Sequence, residues 1–180
     1  MSLWQKKLAT QRQSDGQRGQ SLIETAITLP VVLALAFNFI NWAYLWIMVL
    51  TLSAAPRMGV EYATQGGAAG TATAPGTTTV SSLVYDNLTN AISGVTTSNA
   101  AVQVCTSAKG VDSKGVALCD QFGPAYAFPT PAADPEQPVY VLDRVDVEYT
   151  VTPIIPGAAF NAILPSNLKF HRQVSMRSLY

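Results

Sequence analysis

His171 is the only histidine in the chain, and Cys105 and Cys119 are its only cysteines, so the residues able to do chemistry are few and scattered. His171 falls on the polar side of an alternating stretch, where a histidine is expected to be a solvated surface group. No G-x-S-x-G elbow, P-loop, H-E-x-x-H pair or Gly-rich dinucleotide fingerprint accompanies it. Asp143 and Asp146 occupy opposite faces of the same alternating stretch and form no acid/base pair. Asp143 interrupts an apolar face, and Arg172 interrupts a second one in the same way, so the two are expected to meet. The cysteines lie 14 positions apart. In an oxidising compartment they would form a disulfide, adding about 3 kcal/mol for a loop of this size. Two buried thiols or half a metal site are the other readings, although one histidine is too few to complete a zinc site. The chain therefore reads as non-enzymatic, without cofactor, metal centre or small-molecule substrate. One acid stands apart from this inventory. Glu24 is a lone carboxylate where a polar leader gives way to a long apolar run, and Gly19 closes that leader five positions earlier.

The elements that must position these groups begin with the apolar run. No Asp, Glu, Lys, Arg or His occurs from Thr25 to Pro56, a stretch of 32 residues, whereas about 20 suffice to span a bilayer. Charged residues make up 12% of the chain, against roughly 25% in ordinary soluble proteins. The zero net charge argues against a nucleic-acid binder, which would carry a basic patch. Residues 1–19 carry +3 and residues 57–180 carry −2. A short basic flank stays in the cytoplasm, so one span with the N-terminus inside and the C-terminus outside is expected. A cleaved secretory signal has an apolar core of about 7–15 residues and a small-residue site just beyond it. Here the run is longer, and the nearest such site, Ser53-Ala54-Ala55, comes too late, so the run should stay as a membrane anchor.

The junction reads Arg18-Gly19-Gln20-Ser21-Leu22-Ile23-Glu24, with Pro30 inside the apolar run. It resembles a type IV prepilin cleavage site, and in particular the TadE-like pseudopilins (minor pilins) of tight-adherence (Tad/Flp) pili. The resemblance covers the junction, the span, the Arg57-to-Ala63 segment after it and, more loosely, the last forty or so residues. It implies cleavage by a prepilin peptidase between Gly19 and Gln20, and a role for Glu24 in assembly through the new α-amino group of a neighbouring subunit. It also implies a bacterial inner-membrane protein with a periplasmic head, and the major pilin, sibling pseudopilins and an assembly platform as partners beside membrane lipid. Glycine at position 19 would let an extended backbone approach a protease closely. Ser21-x-x-Glu24 is equally a capping box that would start a helix at Ser21. The other functional reading is an uncleaved, signal-anchored envelope protein that scaffolds or binds a partner in a secretion complex.

Four segments follow: a cytoplasmic leader (1–19), a transmembrane and stalk helix (20–65), a Gly/Thr/Ala-rich linker (66–79) and an α+β head (80–180). Pro30 is expected either to kink the helix or to be a tolerated membrane proline. Asn38 and Asn41 share a helix face and would either bond to another helix or sit at headgroup level. Trp42, Tyr44 and Trp46 fall where an outer aromatic belt belongs, and residues 47–52 would rise above it as contact surface for a partner or for the chain's own domain. In the head, apolar residues recur at helical steps over 80–94. Short strands are expected around Val102–Val104 and Val116–Leu118, with Lys109-Gly110 and Lys114-Gly115 in the loop between them. Residues 120–138, with five prolines, read as an irregular surface loop. Two longer alternating strands, 139–152 and 168–176, should pair antiparallel beneath the helix, joined by an apolar connector. Arg144, Asp146 and Glu148 are expected on the solvent face of the first of these. The sequon Asn87-Leu88-Thr89 lies in the helix and reads as incidental.

Overall fold

The computed structural model describes residues 3–65, 74–137, 139–157, 162 and 168–179, with backbone alone at 3–19, 65 and 179. Most of the expected linker (66–73), Pro138 and most of the connector after Gly157 lie outside these residues. The described elements run α1 (Leu3–Gln65), α2 (Thr77–Ala91), β1 (Ala100–Val111), β2 (Ala117–Phe122), β3 (Tyr140–Thr150) and β4 (Lys169–Leu179), which makes the fold α+β.

α1 is 63 residues long and does not begin at Ser21. Gln, Lys, Arg, Leu and Ala dominate the leader and are good helix formers. Gly16 and Gly19 weaken it by only about 1 kcal/mol each. The capping box is therefore absent: Ser21 lies inside the helix, where its carbonyl accepts the Thr25 hydroxyl at 2.8 Å. The helix also continues through Pro30 without a break. From Gln20 to Thr64 it is long and apolar enough to cross a membrane. From Gln20 to Leu33 every side chain is exposed, Leu22 at 73%, and farther along Phe39 is 70% exposed.

The chain divides into two compact units, and the boundary falls inside α1. Residues 1–43 group with 153–164, and residues 44–152 group with 165–180. In the second unit, Met48, Leu52, Ala55, Val60 and Ala63 of α1 are buried in one core with Val80, Val84 and Leu88 of α2 and Val102, Val104, Val145 and Val147 of the sheet. Of the two expected occupants of the 47–52 surface, the chain's own domain covers Met48 and Leu52. Gly59 permits the approach, because a Cβ there would stand 2.6 Å from Cγ2 of Val84.

The sheet order is β2-β1-β3-β4, every neighbouring pair antiparallel. β2 and β3 therefore run parallel on either side of β1, and the chain joining them must cross a face of the sheet. That crossover starts at Gly123, whose φ is +82° and whose Cβ would meet the Ala100 carbonyl oxygen at 2.3 Å, so only glycine fits there.

α2 starts at Thr77, three residues before the expected 80. Threonine is a poor helix former, but Thr77 donates its hydroxyl to Asp120 of β2 at 2.6 Å, and this tertiary bond fixes the first turn. β1 is longer than expected, and Lys109-Gly110 belongs to it rather than to the loop. The register slips between Thr106 and Val111, which lets Gly110 at φ +122° pass as an irregularity within the strand. The Lys109 ammonium pairs with Asp120, which further binds this stretch to β2.

Candidate functional site

Around the junction, Gln20 and Glu24 lie one helical turn apart and are solvent-exposed. The Gln20 amide donates to the Glu24 carboxylate at 3.4 Å, a long bond. The Thr28 hydroxyl donates to the Glu24 carbonyl at 2.6 Å. Gly19 is helical, so a protease could cut after it only by unwinding this turn, and glycine makes that unwinding cheaper than any residue but proline.

Further along α1, Asn38 and Asn41 are buried, although most of their neighbours are bare. Asn41 donates its amide to the Ile155 carbonyl at 3.1 Å and accepts from the Ile155 N–H at 3.0 Å. Asn38 donates to the Ala34 carbonyl at 2.7 Å and accepts from the Ala162 N–H at 3.1 Å. Within the chain the two amides grip the backbone of the apolar connector. The spacing of 38 and 41 indicated one helix face, but an irregular connector leaves no periodic signal, so its docking was not legible.

Cys105 and Cys119 face each other across β1 and β2 and are joined by a disulfide, with Cα atoms 4.0 Å apart. The hairpin that links these strands is closed by Asp112, whose carboxylate accepts the backbone N–H groups of Lys114 at 2.8 Å and Val116 at 2.9 Å. Those two N–H groups hold its carboxyl below the ordinary range.

On the sheet face away from α2, the expected solvent exposure is overturned. Arg144, Asp146 and Glu148 are 6%, 0% and 6% exposed. Asp146 takes two parallel bonds from the Arg144 guanidinium, both 2.6 Å, and a third from His171 at 2.9 Å. Arg144 also donates to the Thr130 carbonyl at 3.3 Å, while Tyr126 and Phe128 pack beside the His171 ring. The proline-bearing crossover is the cover. It lies across this face and is pinned at its far end by Arg177, whose Nε sits 2.8 Å from the buried Asp134 carboxylate. His171 is therefore a partner of a buried acid and not a free surface group. Two aromatics separated by one residue within a proline-rich loop, Tyr126 and Phe128, were the available signal.

Asp143 and Arg172 do not meet. Across the β3–β4 ladder, Arg172 stands opposite Val147 and Asp143 opposite Met176. Arg172 instead donates to the Ser53 hydroxyl of α1 at 3.3 Å. Asp143 accepts the Ser107 N–H at 2.6 Å and lies beside the hydroxyls of Ser107 and Ser178. Burial pushes its carboxyl above the ordinary value of 3.8, only partly opposed by the Ser107 N–H and the two hydroxyls. A raised carboxyl favours the folded state when protonated, so its contribution is most favourable below the ordinary range and is lost as pH rises through the folded value. Asp143→Asn is accordingly expected to keep the head at least as stable at pH 7 and to flatten the loss of stability as pH rises above the ordinary carboxylate value of 3.8. Thermal melts across that range check it, and a steeper pH dependence in the variant would contradict the assignment.

No protein-family model, curated protein or solved structure matches this chain.

Proposed function

We propose that this chain is a minor pilin or pseudopilin of a tight-adherence type IV pilus. It is made as a precursor, inserted with its N-terminus in the cytoplasm, and cut between Gly19 and Gln20 by a prepilin peptidase. α1 then holds it in the bacterial inner membrane, with a pilin-like head in the periplasm, until it primes or joins a fibre with the major pilin, sibling pseudopilins and an assembly platform. The observation that carries this reading is the junction itself. A glycine ends a basic leader, and the lone acid Glu24 stands exposed one turn beyond Gln20, just before the 32-residue charge-free stretch of α1. An ionised acid at a helix centre in lipid costs about 2.5–3.5 kcal/mol, and less near the interface. The α-amino group freed on a neighbouring copy's Gln20 would offset that cost. The Cys105–Cys119 disulfide supports an oxidising compartment for the head.

A second reading, an uncleaved signal-anchored envelope protein that scaffolds a secretion complex, is favoured by one observation: α1 runs unbroken from Leu3 through Gly19. Intact mass and N-terminal sequencing of protein purified from membranes separate the two. The expected product lacks Met1–Gly19. A retained leader in cells with active prepilin peptidase would establish the second reading. In the same cells Glu24→Ala is expected to abolish fibre assembly while the head stays folded, and normal piliation would remove Glu24 from the mechanism.

A further inference from the structure

The connector after β3 carries no charge from Pro153 to Leu168, and its described part docks on the helix read here as the membrane span. We infer that Pro153–Gly157 is a second membrane contact: a short, irregular, lipid-facing element clamped to α1 by Asn41 and seated at the outer edge of the hydrocarbon layer. The inference rests on the membrane-span part of the proposed function and is independent of cleavage at Gly19.

Depth is the first argument. At 1.5 Å per residue, Asn38 lies about 24 Å and Asn41 about 28 Å along the axis from Leu22, against a hydrocarbon thickness of about 30 Å. The connector thus meets the helix where acyl chains give way to headgroups. Polarity is the second. Non-helical backbone at that depth is tolerated only when its N–H and C=O groups have partners, and Asn41 supplies both for Ile155, as a neighbouring strand would. Asn38 does the same for the N–H of Ala162. The third argument is what the clamped segment shows to its surroundings. Ile154 is 50% exposed and Pro156 and Gly157 are exposed, while on α1 Phe39, Ile40 and Trp42 of the same unit are 70%, 48% and 45% exposed. These apolar surfaces lie on two stretches of chain that contain no charged residue. A peptide partner would find no ionic handle on them, whereas lipid needs none. Proline at 153 and 156 also removes two backbone donors that would otherwise need partners.

Nitroxide labels on the full-length chain in phosphatidylcholine vesicles test this, with collisions measured against oxygen, which concentrates in lipid, and a water-soluble nickel chelate. Labels go on Ile154→Cys, on Leu33→Cys as the lipid reference and on Val139→Cys, exposed on the head, as the aqueous reference. The expected result is a several-fold excess of oxygen over chelate collisions at Ile154, close to Leu33 and opposite to Val139. A chelate-accessible Ile154 beside a lipid-exposed Leu33 overturns the second contact and leaves the span intact. A chelate-accessible Leu33 overturns the span and this inference with it. Low collision with both reagents at Ile154 would mean that protein, such as a second copy, covers the segment, and would overturn the lipid assignment. Adding Asn41→Leu is expected to raise chelate collisions at Ile154 several-fold, and no change would show that Asn41 is not the clamp.

Discussion

Replacing Asp146 with alanine is expected to cost the head about 3–5 kcal/mol, the usual penalty for stranding one member of a buried ion pair. The carboxylate is fully buried and is held by both Arg144 and His171. Its loss leaves the buried guanidinium of Arg144, 6% exposed, with the Thr130 carbonyl at 3.3 Å as its one hydrogen-bond partner among the described residues. Domains of this size are stable by about 5–15 kcal/mol in total, so the head would lose a large share of its stability. Chemical denaturation of the full chain in detergent, followed by circular dichroism in the β-sheet region, measures this. The paired replacement Arg144→Met with Asp146→Leu removes both charges and is expected to restore most of the loss. An unchanged midpoint in Asp146→Ala would show that the crossover does not keep water from this pair.

The disulfide is the second large term. It ties β2, an edge strand of six residues, to β1. β2 also carries Asp120, which holds the first turn of α2, and it leads directly into Gly123. Removing a native disulfide from a small domain costs about 2–5 kcal/mol, and here the loss should propagate to the start of α2. Cys105→Ala with Cys119→Ala is expected to lower the unfolding free energy by that amount and the denaturation midpoint with it, and adding reductant to the native chain should match it. Backbone amide exchange should quicken in β2 and in the first turn of α2 before the rest of the sheet. Equal midpoints with and without reductant would place the hairpin's stability in its ladder and in the Asp112 turn.

How far these features could be read in the sequence depends on whether they leave a periodic trace. The apolar steps of α2 and the alternation of β3 and β4 follow directly from burying one face, and all three elements lie near their expected positions. Burial of Arg144, Asp146 and Glu148 left no such trace, because a polar alternation looks the same whether water or a crossover lies over it. Only the strand order β2-β1-β3-β4, a long-range property, requires a chain to pass there. The Asp143–Arg172 expectation failed on register: two interruptions of apolar faces need not be opposite each other, and Arg172 found Ser53 on α1 instead. At the candidate site, the spacing of Gly19 and Glu24 and the shared face of Asn38 and Asn41 were visible. The connector gripped by those asparagines was not, since nonlocal bonds to irregular backbone have no sequence period.

Burial of Met48, Leu52 and Ala55 in the head has a practical consequence for anyone preparing it without the exposed apolar part of α1. A truncation at Arg57, where charge resumes, would delete part of the hydrophobic interior and leave the remaining walls open to water. A truncation that preserves the interior must begin near Tyr44, and it then carries Trp46, Ile47 and Leu50, which are 53%, 54% and 67% exposed. Foldedness and solubility therefore pull the first residue of a detergent-free fragment in opposite directions. The compromise is to retain 44–65 and recolour those three outward positions with polar side chains.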